Sequence, residues 1–404
     1  MSQARGEAGA RGARVRSDCW VAFEPRDSGG LDVQVKSKVA SMYGENIRQQ
    51  VLAGLAVLGI EHGFVEIEDA GGLPFVIDAR LETAVRRALG TLEGQIIPEK
   101  TVEIVPSAKD RFRRSRLYLP GNTPKLMYNA GLYSADGIIL DLEDAVAPAE
   151  KDSARCVIRN AMRVIDFGGA ELMVRINQGE RGLEDLEWIV PHGVQLILIP
   201  KVESAEEVQA VDARIGQICD RVGITAPIWL MPIIESGRGT LESLAIAEAC
   251  PFVCSLAIGL EDYTADIGVP RTKEGAESLW MRGFVINAAR AAGVQPIDTV
   301  FSDVGDEEGL RASVREAKAM GFDGKGCIHP RQIPVVNQEF APTTAQIDKA
   351  MRIVLAFDDA TARGLGVVSL GSKMIDPPVV KRALHTVQLA IATGLLADNW
   401  KQEA

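Results

Sequence analysis

The acidic residues best placed to do chemistry stand just past short apolar runs. Asp141, Glu143 and Asp144 follow GIIL, Glu235 follows WLMPII, and Glu261 and Asp262 follow AIGL. Carboxylate oxygens select a hard divalent ion such as Mg²⁺ or Mn²⁺. A pair such as Glu235 and Asp262 can hold one octahedral ion and leave positions open for a chelating substrate; the competing role is helix capping or ion pairing with Arg238 and Arg271. No pair of histidines and no Cys/His cluster accompanies these acids, which argues against zinc. Arg175, in VRIN, carries a planar fork that can grip a substrate carboxylate from two sides, or else pair with Glu180 or Glu184. A metal that polarises a carbonyl, with an arginine that holds an acid group, suits aldol- or Claisen-type cleavage of an oxo-acid. Lys201, in IPKVES, is chemically able to form a Schiff base, but beside Glu203 it is expected to stay protonated and paired. No histidine is assigned as a base: His62 and His192 read as surface loop residues, His385 as helical, and His329 as a loop residue facing the site.

These groups share one rim if the apolar runs near 116–119, 137–141, 172–176, 195–199, 228–234, 255–260, 297–301 and 324–328 are parallel strands separated by helices. Polar residues then load the C-terminal end of each strand, where TIM barrels keep their active sites. The stretch 114–144 reads as the first βαβ unit, with a helix-length segment between its two runs. No G-x-G-x-x-G opens a helix after the first strand, so a dinucleotide-binding fold is a poor reading. Upstream, CWVAF and LDVQV around PRDSGG predict a hairpin, a helix follows over about 37–58, FVEIE and LPFVI alternate around AGG, and a second helix runs over about 81–92. That is a compact α+β module. The charged stretch between prolines, IIPEKTVEIVPSAKDRFRR, reads as a linker. Beyond the barrel come a helix over about 344–363, the turn region GLGVVSLGSKMIDPP and a helix over about 379–396. The expected organisation is a disordered leader (1–16), the small α+β domain (17–97), a linker (98–113), the α/β TIM (β/α)8 barrel (114–340) and a C-terminal helical extension (341–404).

With 404 residues, 47% hydrophobic and 25% charged, the chain can bury a large core. A net charge of −11 and no clustered basic face argue against nucleic acid or an anionic membrane as the main partner. The six cysteines lack CxxC spacing, which points to a reduced, cytoplasmic setting, and no apolar run approaches the roughly 18 residues of a membrane span.

In order along the chain, RSRLYLPGN, ILDLEDAVAP, VRIN, LIPKVES, IIESGRG, AIGLEDYTADIG, DTVFSD, GFDGKGCIHPRQI and GVVSLGSKMIDPPVVKRA resemble the citrate lyase beta subunit, within the wider HpcH/HpaI group of TIM-barrel acyl-thioester lyases. The stretch from LDVQV to ETAVRRA resembles the citrate lyase acyl carrier protein, or gamma subunit. The double resemblance implies cleavage of citryl-ACP to oxaloacetate and acetyl-ACP. The alternatives are a freestanding citramalyl-, malyl- or citryl-CoA lyase with a vestigial carrier domain, and a non-catalytic assembly subunit. It further implies Glu235 and Asp262 as Mg²⁺ ligands, Arg175 as the substrate-carboxylate group with Glu235 also touching substrate, and Gly121, Asn122 and Lys125 near the thioester arm. Asp376 matches an acid/base that related lyases lend to a neighbouring subunit, which implies a homo-oligomer; its local alternative is the N-cap of the final helix. The carrier's phosphoribosyl-dephospho-CoA arm sits on a serine. Here Arg16 aligns with that position and Ser17 lies beside it, so either Ser17 carries the arm or the domain serves for docking. A citrate lyase alpha (transferase) subunit is the implied partner.

Overall fold

In a computed structural model describing residues 5–90, 92, 94–97, 105–364, 368–370 and 373–403, the chain starts as a four-stranded sheet. Its strands are β1 (Gly6–Gly9), β2 (Cys19–Pro25), β3 (Leu31–Ser37) and β4 (Gly63–Asp69), in the order β1-β2-β4-β3. Alternate residues Cys19, Val21, Phe23, Val65 and Ile67 meet helices α1 (Ala40–Val57) and α2 (Pro74–Leu89) in one core, as the two-residue strand period requires. The predicted hairpin of CWVAF and LDVQV does not form. β4 lies between them, antiparallel to β2 (Val21↔Ile67) and parallel to β3 (Val33↔Val65), because a crossover through α1 brings it back beside β3. LPFVI is not a strand either: Pro74 opens α2, where its missing N–H leaves nothing unpaired. The leader also contributes structure, since β1 pairs with β2. Gly6 is required there, as a Cβ would stand 2.0 Å from the Ala84 carbonyl oxygen of α2.

The barrel is the expected one. β5 (Ser115–Pro120), β6 (Gly137–Asp141), β7 (Glu171–Arg175), β8 (Leu196–Ile199), β9 (Trp229–Ile234), β10 (Ser255–Ile258), β11 (Gln295–Asp298) and β12 (Gly324–Cys327) are all parallel, and β12 closes on β5. Ile139, Met173, Leu198, Met231, Ile233 and Ile297 fill its interior. Around it run α3 (Lys151–Val164), α4 (Gly179–Ile189), α5 (Ala205–Val222), the short α6 (Gly237–Leu241), α7 (Ser243–Ala247) and α8 (Leu260–Asp266), then α9 (Leu279–Ala291), α10 (Glu307–Met320) and α11 (Gln332–Phe340).

The helix expected between β5 and β6 is absent: that crossover makes only two 3₁₀ turns, at Pro124–Leu126 and Ala130–Tyr133. Helix α2 of the N-terminal module fills the place. It packs along α3, and its Phe75, Val76 and Ala79 share a core with Leu117, Met127, Ala130 and Ile158. Polar contacts fasten this seam. Glu82 and Arg159 pair at 2.8 Å with both side chains 0% exposed. Arg80 donates to Ser153 Oγ at 2.7 Å and to the Asn122 carbonyl at 3.0 Å, Asn160 Nδ2 donates to the Phe75 carbonyl at 3.0 Å, and Arg87 pairs with Asp152 at 2.6 Å.

Of the expected linker, 98–104 lies outside the described residues. The rest closes the bottom of the barrel, with Arg113 paired to Glu171 at 2.6 Å and Trp229 Nε1 donating to the Ser107 carbonyl at 2.6 Å. His192, read as a surface loop residue, is buried. Neither ring nitrogen has a partner among the described residues, and desolvation, followed by the charges of Arg159 and Arg163, lowers its pKa to about 3.

After the barrel, α12 (Thr344–Ala362) starts at a capping box of Thr343 and Gln346, β13 (Val368–Leu370) pairs with β14 (Lys373–Ile375), and α13 (Pro377–Ala392) precedes α14 (Trp400–Glu403). Residues 365–367 and 371–372 of the predicted turn region lie outside the described residues. The six cysteines are free, and no helix among the described residues is long and apolar enough to cross a membrane.

Candidate active site

Strand ends place the site. Asp141 ends β6, Arg175 ends β7, Glu235 follows β9 and Asp262 lies in α8 just past β10, so neighbouring strands deliver all four to one rim. Arg175 does not pair with Glu180 or Glu184. Its Nε and Nη2 donate to the two oxygens of Asp141 at 2.7 and 2.6 Å, and Nη1 lies 3.1 Å from Glu143. Burial opposes the guanidinium charge, but the Asp141 bonds outweigh it and raise its pKa. One edge of the fork is thus spent on Asp141, and Nη1 faces Glu143, whose place a substrate carboxylate would take. The guanidinium also sits 5.3 Å from the centre of the Tyr118 ring.

Glu235 is 5% exposed. Burial pushes its carboxyl up to about 7, against the hydrogen bond it accepts from the Lys201 amide at 2.9 Å and the charge of Arg175. It leans over Gly259, where a Cβ would stand 2.1 Å from Glu235 Oε1, so the turn after β10 must be glycine to seat the carboxylate. Asp262 lies across from it, 3.5 Å from Lys201 Nζ. Arg238 and Arg271 are occupied elsewhere, by Glu242 and Glu261, so the competing ion pairs do not form. A cavity of about 900 Å³ opens beside these groups, with Asn177, Lys201, Glu203, Glu235, Ser236 and Asp262 in its wall.

The donors fit a hard divalent ion. They are oxygens only, and the Gly259 cradle holds open the place where Glu235 lies. Among the described residues no group of three His, Cys, Asp or Glu converges on a point, so Glu235 and Asp262 are the two protein ligands on offer.

The structure therefore brings Arg175, Glu235 and Asp262 together. It does not gather the rest. Asn122 and Lys125 lie in the loop and 3₁₀ turn after β5, outside the cavity wall, and Asn122 uses its carbonyl to hold Arg80. Asp376 is the N-cap of α13, accepting from the Val379 amide at 3.2 Å, and is likewise absent from the wall. Ser17 is half-buried at the seam: its φ is +56°, its amide donates to the Ala70 carbonyl at 3.1 Å, and its carbonyl accepts from the Tyr128 hydroxyl at 2.8 Å. His329 accepts from the Arg331 amide and is not in the cavity wall. Lys201 is paired, as expected, but with Glu143, Asp144 and Asp262 and not with Glu203. Its position just past β8 was the available signal for these partners.

The chain resembles known proteins over both of its main parts. A model of the HpcH/HpaI aldolase/citrate lyase family matches residues 114–330, and one described as ACP, malonate decarboxylase delta subunit (MdcD), matches residues 8–88. The chain is 39% identical over 294 residues to citrate lyase subunit beta of Leuconostoc mesenteroides subsp. cremoris, covering 71% of this chain and 96% of that protein. It is 36% identical over 290 residues to human mitochondrial citramalyl-CoA lyase, covering 69% and 85%. Among solved structures, CitE of Mycobacterium tuberculosis in complex with magnesium, acetoacetate and coenzyme A matches at 31% identity with a TM-score of 0.58, over 70% of this chain and 99% of that one.

Proposed function

Because the chain belongs to the HpcH/HpaI aldolase/citrate lyase family, we propose that it is a Mg²⁺-dependent carbon–carbon lyase that cleaves a citryl thioester to oxaloacetate and an acetyl thioester. The observation that carries this reading is the buried Glu235 carboxylate, seated over Gly259 on the strand beside Asp262. Glu235 and Asp262 hold the ion, in keeping with the magnesium named for the tuberculosis CitE structure. When bound, the ion supplies Lewis acidity that makes the substrate hydroxyl easier to deprotonate.

The protein's residues do the rest. Arg175, fixed by Asp141, presents Nη1 to a substrate carboxylate and orients the carbon–carbon bond to be broken. A base that no residue here is assigned to takes the hydroxyl proton, the hydroxyl carbon becomes the ketone of oxaloacetate, and the bonding pair passes to the departing carbon as a thioester enolate. Asp376 of a neighbouring copy returns a proton to that carbon.

Two sources of thioester compete. Carrier likeness over residues 8–88 favours an arm on Ser17, loaded by an alpha-type transferase subunit. The clamped turn at Ser17 and the family tie to citramalyl-CoA lyase favour a free CoA ester. A coupled oxaloacetate assay on citryl-, citramalyl- and malyl-CoA, with and without Mg²⁺, tests the activity, and intact mass after co-expression with the arm transferase separates the two sources. Glu235→Gln is expected to abolish turnover with an unchanged circular-dichroism spectrum; retained turnover in that variant under chelation overturns the metal assignment.

A further inference from the structure

Lys201 is one of three non-glycine residues with a left-handed backbone among the described residues, at φ +52°. Such a conformation is strained for a residue with a Cβ and persists where surrounding contacts fix it. Here the contacts are the acids themselves. The Lys201 amide donates to Glu235 Oε2 at 2.9 Å, while its ammonium stands 3.1 Å from Glu143 Oε1, 3.4 Å from Asp144 Oδ1 and 3.5 Å from Asp262 Oδ1. One residue thus touches both acids assigned to the ion, through its main chain on one side and its side chain on the other.

The local charges are unbalanced. Among the described residues, Asp141, Glu143, Asp144 and Asp262 are salt-bridged to Arg175 or Lys201, Glu235 takes only the Lys201 main-chain amide, and the one further cation beside them, Lys151, spends its ammonium on the Leu142 and Glu143 carbonyls. Arg175 pairs with the acids after β6, so among the described residues Lys201 is the cation that bridges those acids and the acid after β10. Resting on the metal reading above, we propose that Lys201 is a positioning residue and resident counter-cation: its amide sets the Glu235 carboxylate, and its ammonium occupies the Asp262 side of the cluster, in competition with the divalent ion. A cation within contact distance of a ligand lowers that ligand's affinity for a second cation.

The test is Mn²⁺ titration of the full chain, followed by electron paramagnetic resonance without any thioester. The variants are Lys201→Gln, Lys201→Met, Lys201→Arg and, as control, Asp262→Asn, each checked for folding by thermal melting. Lys201→Gln and Lys201→Met are expected to bind Mn²⁺ about tenfold more tightly than the parent, and Lys201→Arg within about twofold of it. Unchanged or weaker binding in both neutral variants overturns the proposal while leaving the metal site standing, provided Asp262→Asn loses affinity. No uptake by the parent chain, or undiminished uptake by Asp262→Asn, overturns the metal reading and Lys201's role with it.

Discussion

Helices α2 and α13 both lie outside the eight strands, and both are long and amphipathic, yet they attach to the barrel differently. Helix α2 gives Phe75, Val76 and Ala79 to the barrel's own core and is fastened to α3 by a fully buried Glu82–Arg159 pair. Helix α13 packs on α12 in a cluster of its own, and its ring contact with the preceding chain is His385 against Phe112. The first arrangement follows from a gap, since the β5–β6 crossover has no helix to cover Leu117 and Met127. A carrier-like module used in this way is a fixed wall. The second leaves Asp376 on an element packed mainly on α12, outside the cavity wall of its own chain.

Breaking the seam should have the largest effect. Glu82→Leu strands the buried Arg159 guanidinium and is expected to lower stability by about 3–5 kcal/mol in urea unfolding, with module and barrel losing structure in one transition. Two separated transitions would show that the module is an independent body. The double variant Glu82→Leu/Arg159→Met is expected to recover much of the loss, because it removes both members of the fully buried pair, while Arg86, which also pairs with Glu82, keeps its bonds to the Leu92 and Gly94 carbonyls.

Next in size is a pH effect beside the same seam. His192 has a folded-state pKa lowered to about 3, so the folded chain binds fewer protons than the unfolded one below the ordinary histidine range. Its contribution is therefore complete above about pH 6.5 and is lost as pH falls, amounting to about 2 kcal/mol at pH 5. His192→Phe removes two unpartnered nitrogens and should flatten that part of the melting-temperature profile between pH 7 and pH 5. A slope identical to the parent's would assign the acid sensitivity to other groups.

The smallest effect on stability, and the sharpest contrast, is at Asp376. Asparagine caps a helix about as well as aspartate, so Asp376→Asn should melt within about 0.5 kcal/mol of the parent, whereas Asp376→Ala loses about 1 kcal/mol. Both should lose lyase activity. Full activity in Asp376→Asn would leave Asp376 as a cap and nothing more.

Much of this was legible because it is local. Parallel strands buried on both faces read as short apolar runs, and the eight barrel strands fall within about three residues of their expected positions. Glu235, Asp262 and Arg175 were legible for the same reason, since position after a strand fixes the rim. Most of the misreadings concern partners distant in sequence. Nothing in CWVAF and LDVQV says that FVEIE will come between them, and nothing in residues 120–136 says that α2 will replace a helix there. Proline in LPFVI was the one local sign overlooked, being better suited to a helix start than to a strand interior.

The sequence by itself determined the barrel, the acids at its mouth and the two appended segments, because hydrophobic period and strand-end position are properties of consecutive residues. Only the tertiary structure decided that Asp141 takes one edge of Arg175, that Lys201 reaches across three strand ends to Asp262, and that the first module is built into the barrel wall. The reason is physical: a charge is positioned by whichever opposite charge the closed barrel brings within about 4 Å, and closure joins residues that the chain keeps far apart.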